Sequence, residues 1–262
     1  MKNIFRYYLS IFNHMISPYQ YNESKYKDSF LANSPYSTQC ELSPIPKLIY
    51  IFWTGDNEMS ENRLKAIQVL QQKSGVDIQL ITPNNLAEYI LPDFPLHPAY
   101  KFLSLNHRSD YLRCYFMHHY GGGYSDVKMC QHSWLPMFEN LEQSNAWLIG
   151  YPETAKTGLG ARNLPKIRNK MIKYLSQITG NGCYICRPYS PLTTEWYAEL
   201  HRRLDEKYEL VKQNAGNIWG DNEGYPFQWT ELGGDILHPL VFKYMKFTLK
   251  DKRLRPILTN YR

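Results

Sequence analysis

From residue 45 onward the chain alternates short unbroken apolar runs with stretches whose apolar residues recur every three or four positions. LIYIFW at 48–53, behind Pro46, suits a strand buried on both faces. Ser60 then caps a helical stretch that ends near Gly75, and VDIQLIT at 76–82 reads as the next strand. Asn84 or Asn85 caps a short helix before Pro92, Pro95 and Pro98 interrupt the chain. This β-α-β order is the first half of an α/β sheet. Further on, Ser133 to Pro136 lead into a loop or short helix, and the runs at 147–151 and 181–188 read as strands. Residues 190–213 form an amphipathic helix that starts on Ser190-Pro191 and turns Trp196, Leu200, Leu204 and Tyr208 to the core. A loop signal at 221–224 and a helix over 236–247 close the pattern.

The most informative stretch is HRSDYLRCYFMHHYGGGYSDVKMC at 107–130. Ser109 reads as an N-cap, with Asp110 in the positive first turn of the helix. Leu112, Tyr115, Phe116 and His119 make one apolar-to-aromatic stripe, and Gly121 to Gly123 stop the helix. The chain re-extends through Tyr124 and Val127, with Asp126 where the strand meets its loop. Asp110 and Arg113 share a helix face and can pair. A carboxylate at a tight turn beside an arginine is what a metal-bound or bare diphosphate needs.

The first residues carry a different pattern. Ile4, Phe5, Tyr8, Ile11, Phe12 and Met15 fall on one helical face, but Asn3, Arg6, Asn13 and His14 interrupt the run. It is neither a signal peptide nor a membrane span. Two readings stay open, an interfacial helix touching lipid and a strut docked on the body. Residues 19–44 read as an irregular connector.

Composition narrows the function classes. A net charge of +6 fits an anionic partner such as a nucleotide diphosphate or an acidic membrane surface. Basic residues recur over 152–182 and 243–255, yet nowhere densely enough to argue for nucleic acid. Aromatic content of 15% supplies ring faces that suit sugars and nucleobases as well as cores. No GxGxxG follows the first strand and no phosphate-binding loop occurs, against dinucleotide enzymes and P-loop NTPases. Five cysteines show no disulfide framework and suggest a reducing compartment. Cys183 and Cys186 form a lone CxxC in a strand-like run and are expected to be buried structural thiols.

Residues 109–113 (SDYLR) followed by GG and Y-x-D resemble the core of the retaining sugar transferases that carry a DXD signature. That family includes Och-type mannosyltransferases, the glucosyltransferase domains of large clostridial toxins and bacterial capsule-synthesis enzymes. IPKLIYIFWTG at 45–55 is similar to the family's opening strand, so the resemblance covers residues 45–130 well and the rest loosely. It implies a GT-A-like nucleotide-binding domain with a mixed, mostly parallel sheet flanked by helices. Residues 1–44 would be a helix and connector, 45–130 the donor half, and 131–262 the acceptor side and a C-terminal return. It also implies a nucleotide-sugar donor, UDP-linked by preference, a glycan or lipid-linked oligosaccharide acceptor, and retention of configuration. Trp53, Thr54, Gly55, Asp110, Arg113, Tyr124 and Asp126 would form the donor site. The segment 228–235 would return to it, with Glu231, Asp235 and His238 as candidates.

One departure changes the chemistry. Lys128 stands where the pattern has its second acid. Either Asp126 still holds Mn²⁺ or Mg²⁺ with other help, or the Lys128 ammonium offsets the diphosphate charge itself, or Lys128 points away. A cation beside a divalent metal repels it by several kcal/mol at an intermediate dielectric, which favours the second. The expectation is a hexosyltransferase of bacterial capsule or lipopolysaccharide synthesis, cytoplasmic, with a peripheral contact to an anionic inner membrane. The alternative is a nucleotide-sugar-binding or assembly scaffold that lost turnover with its second acid.

Overall fold

The protein is described by a computed structural model covering residues 2–259. The strands are β1 (Leu48–Phe52), β2 (Asp77–Ile81), β3 (Gly122–Ser125), β4 (Leu148–Pro152), β5 (Thr179–Cys186) and β6 (Thr248–Lys250). They form one sheet in the order β2-β1-β3-β5-β4-β6, with β5 antiparallel to both its neighbours and the other pairings parallel. The helices are α1 (Lys2–Ile16), α2 (Glu61–Lys73), α3 (Leu105–His119), α4 (Leu135–Glu142), α5 (Pro165–Lys173), α6 (Pro191–Glu206), α7 (Tyr208–Gln213) and α8 (Gly234–Lys243). The expected α/β class, with a mixed and mostly parallel sheet flanked by helices, is what the chain adopts.

Strand alternation decides which core each side chain joins. Tyr50 and Phe52 of β1 pack with Phe116 of α3, Trp196 of α6 and Leu237 of α8. Ile49 and Ile51, pointing the other way, pack with Leu70 of α2 and Met137 and Phe138 of α4. Both faces of β1 are therefore covered, as its unbroken apolar run requires.

The helix expected over 236–247 is α8 at Gly234–Lys243, and the strand expected at 181–188 is β5 at Thr179–Cys186. Three further differences from the sequence expectation each have a local reason. Helix α3 starts five residues early, because Ser104 and not Ser109 accepts from the His107 amide at 3.2 Å. Ser109 and Asp110 thus lie inside the helix. The glycine triplet does more than stop it: Gly121 and Gly122 turn the chain at φ of 69° and 82°, and Gly122 and Gly123 already belong to β3. The expected helix at 190–213 is two helices, broken at Lys207, whose ammonium is held by the Pro226 carbonyl and Glu231.

Gly122 cannot be replaced cheaply. Its φ is left-handed, and an added Cβ would meet the Leu48 carbonyl oxygen of the neighbouring strand at 2.8 Å. Gly122→Ala should cost roughly 2–4 kcal/mol in urea unfolding. A midpoint equal to that of the unsubstituted protein would show that β3 is not held as described.

Three buried histidines and the half-buried His201 make the fold acid-sensitive. Burial pulls His118, His119, His201 and His238 down to about 4, with His119 and His201 adding to the effect on His118, and His97 and His119 to that on His201. They are neutral in the fold but take up protons in the unfolded chain once pH drops below the ordinary value of 6.5. Their contribution is whole above that pH and is lost progressively as pH falls towards 4, by up to about 1.4 kcal/mol per pH unit for each histidine. The urea midpoint should fall clearly between pH 7.5 and 5.5. An unchanged midpoint would contradict their burial.

Candidate active site

Strands β1 and β3 are parallel neighbours, with Tyr50 paired to Tyr124, so their carboxyl ends open on the same edge. Ligands of open α/β sheets collect beyond such ends. Here β1 runs out into Trp53-Thr54-Gly55, and the Thr54 hydroxyl pins this turn to the Leu105 carbonyl at the start of α3 at 2.7 Å. At Gly55 a Cβ would meet Asn57 Oδ1 at 2.4 Å and the Leu105 side chain at 2.7 Å, so a larger residue there would push both side chains aside. The Trp53 indole N–H donates to the Asn57 carbonyl at 2.7 Å, which fixes its ring at the mouth.

Strand β3 delivers Asp126 beside that turn, and its amide donates to the Gly182 carbonyl of β5 at 2.7 Å. Its carboxylate is held from several sides. The Tyr124 hydroxyl donates to Oδ1 at 2.5 Å, the Lys128 ammonium to Oδ2 at 2.6 Å, and Arg113 Nη2 lies 3.8 Å from Oδ1. Burial pushes the Asp126 carboxyl up, but Lys128, Arg113 and the two hydrogen bonds outweigh it and leave the group below the usual carboxylate range. Asp126 is therefore ionised at neutral pH, and Lys128 points at it.

Behind this carboxylate lies a buried support. Arg113 pairs with Asp110 at 3.0 Å, donates to the Asn181 carbonyl at 2.8 Å, and stacks its guanidinium 4.6 Å from the Tyr124 ring centre. Gly233 closes over Asp110, where a Cβ would meet Oδ1 at 2.7 Å. Asp110 and Arg113 are both buried, and neither lines the cleft. Their position is one layer below it, where they orient Tyr124 and Asp126.

The cleft itself holds about 340 Å³, within the usual range for small-molecule sites. Trp53, Thr54, Gly55, Tyr124, Asp126 and Lys128 line it, so most of the residues expected at the donor site converge. His238 does not. Its Nδ1 accepts from the Gly160 amide at 2.9 Å, inside the protein, and its helix α8 is buried all round. Asp235 and Glu231 are likewise committed, the first to the Ala161 amide and the second to Lys207 and the Gln228 amide. The C-terminal segment does return to the cleft, but through Trp229, with Ile218 and Trp219 from the same loop region. Trp219 and Trp229 are 42% and 50% exposed with ring centres 6.2 Å apart, forming an aromatic wall. Arg63 also lines the cleft, its guanidinium donating to the Val127 carbonyl at 2.6 Å. Exposed tryptophans in a loop rich in Gly, Asn and Asp were the available signal for that wall. Nothing near Arg63 in the sequence marked it.

The two-acid metal site that the family resemblance implies does not fit these donors. Both oxygens of Asp126 are engaged, and the place of its partner acid is taken by an ammonium. Among the described residues no three His, Cys, Asp or Glu side chains gather as a metal site. The five cysteines are free; Cys183 and Cys186 are buried in β5, and Cys183 Sγ lies 3.6 Å from Cys130 Sγ. The exposed cations of the 152–182 segment line no part of the cleft.

The family described as "Capsular polysaccharide synthesis protein" matches residues 9–159. No curated protein matches the chain. A solved structure described as "PaToxG Glycosyltransferase" is 12% identical, with 93% of this chain and 80% of that one covered and a TM-score of 0.41. Another, described as "WbbM bifunctional glycosytransferase apo structure", is 11% identical, with 80% of this chain and 39% of that one covered and a TM-score of 0.41.

Proposed function

The chain belongs to the family of capsular polysaccharide synthesis proteins, and on that premise we propose that it is a glycosyltransferase. It moves a hexose from a nucleotide-sugar donor, UDP-linked by preference, to a growing capsule or lipopolysaccharide glycan with retention of configuration. The observation that carries this reading is the Asp126–Lys128 ion pair facing an aromatic-walled cleft at the carboxyl ends of β1 and β3.

Each part of the cleft has a task in such a transfer. The indoles of Trp53, Trp219 and Trp229 offer faces to a nucleobase and to sugar rings. Lys128 and Arg63 supply positive charge for the two phosphates. The anomeric C–O bond breaks with its electron pair leaving on the diphosphate, and the growing negative charge is offset by the Lys128 ammonium. Asp126 faces the positive charge that develops at the anomeric carbon. The acceptor hydroxyl bonds to that carbon on the same face, and its proton passes to the departing phosphate oxygen. Arg113 and Asp110 keep Asp126 and Tyr124 in place from below.

The acceptor class is a glycan or lipid-linked oligosaccharide at the cytoplasmic face of a bacterial envelope membrane. Among the described residues no helix is long and apolar enough to cross that membrane. A second reading is favoured by Lys128: a nucleotide-sugar binder without turnover. Incubating purified protein with UDP-hexoses and measuring released UDP separates the two. Turnover that rises when a glycan acceptor is added is the expected result; stoichiometric binding with no UDP released, with or without acceptor, would establish the binder.

A further inference from the structure

Helix α1 is mounted back to front. A surface helix of a globular protein normally buries its apolar stripe and shows its polar one. Here the polar side faces the body: Ser10 is 1% exposed and its hydroxyl accepts from the Ser176 amide at 3.0 Å, while Asn13 Nδ2 donates to the Lys173 carbonyl at 3.3 Å. The opposite arc carries Ile4, Phe5, Tyr8, Leu9, Phe12, Met15 and Ile16, all between 43% and 74% exposed. At 100° per residue these seven positions fall within less than half a turn of the helix, so they form one continuous apolar strip. Ile11 lies off this strip and is half-buried.

The surroundings of the strip are cationic. No acidic residue occurs between residues 2 and 22, and Arg6 lies on the helix itself. Lys170 and Lys173 are exposed in the last turn of α5, which packs beside α1. The Lys252 ammonium sits 5.6 Å from the Tyr7 ring centre. We propose that the outward face of α1 docks on an anionic lipid bilayer, with the helix lying in the plane of the headgroups. The apolar strip enters the acyl boundary while the flanking lysines meet lipid phosphates. A second copy of the chain is a poorer occupant. Two-fold pairing through this strip would set the same cations of both copies against each other. This inference rests on α1 and its neighbours and does not require that the cleft transfer sugar.

The test uses the full chain and vesicle flotation. Vesicles of equal parts phosphatidylcholine and phosphatidylglycerol should carry the protein up the gradient, and phosphatidylcholine alone should carry far less. Phe5→Asp with Phe12→Asp should weaken flotation at least about tenfold. Lys170→Glu with Lys173→Glu should do the same on the anionic vesicles only. All four side chains are exposed, so melting temperatures and UDP binding should stay at the unsubstituted values, which separates this outcome from any failure of the proposed transfer. Three results would overturn the proposal: no flotation with anionic vesicles, equal flotation of the phenylalanine variant, or a concentration-dependent dimer that those phenylalanine substitutions abolish.

Discussion

Asp126→Asn should lower the turnover rate of sugar transfer by about 10²–10³ while leaving UDP binding intact or slightly tighter. The substitution keeps shape and removes charge. Lys128 at 2.6 Å and Arg113 at 3.8 Å then lose their shared counter-ion, so the cleft becomes more positive and holds a diphosphate at least as well. What disappears is the carboxylate that faces the developing positive charge at the anomeric carbon. The loss therefore belongs in kcat and not in KM. Steady-state kinetics with donor and acceptor both varied will show the split. Normal turnover would mean that the reacting sugar sits elsewhere.

Lys128 should matter almost as much, but through both donor binding and turnover. A unit charge about 4 Å from a phosphate contributes about 4 kcal/mol at an effective dielectric of 20. Lys128→Met should thus cost about 10²–10³ in kcat/KM, with weaker UDP binding as part of the loss. Lys128→Asp is more telling, because it restores two carboxylates at the spacing where a divalent ion is normally held. That variant should be inactive in EDTA and regain transfer with Mn²⁺ or Mg²⁺. A variant with wild-type activity in EDTA, or one that stays inactive with metal, would show that the ammonium does not stand in for the ion.

How much of this was legible in the sequence differs from element to element. The runs at 48–53 and 76–82 read as strands because each is a short apolar stretch bounded by turn residues, and the helix between them was bracketed by Ser60 and Gly75. Asp126 and the turn at Trp53 were legible because they follow strands whose carboxyl ends must meet at the sheet edge, whereas Tyr124, inside β3, was placed near the site only by the family resemblance. The start of α3 was not, since Ser104 and Ser109 are equally good caps until a backbone amide is seen to reach one of them. His238 was a candidate for the cleft through the family resemblance and its place in the first turn of a late helix. Spacing along α8 does not say which side looks at the Gly160 loop, and a helix buried all round offers no polar face to decide it. Arg63, Trp219 and Trp229 reach the cleft from α2 and from a late loop, contacts made only by tertiary packing. Helix α1 is the sharpest case. Its apolar stripe was plain, but its outward orientation depends on Ser10 and Asn13 finding partners in residues 173–176.

The central claim is that the Asp126–Lys128 end of the cleft receives the pyrophosphate of an activated sugar, with Lys128 supplying the positive charge. Calorimetric titration of UDP and of uridine in EDTA, on the unsubstituted protein and on Lys128→Met, tests it most directly. UDP should bind at least about tenfold more tightly than uridine, and that advantage should collapse in the variant. Equal affinities for UDP and uridine, or an advantage for UDP that Lys128→Met leaves untouched, would contradict it.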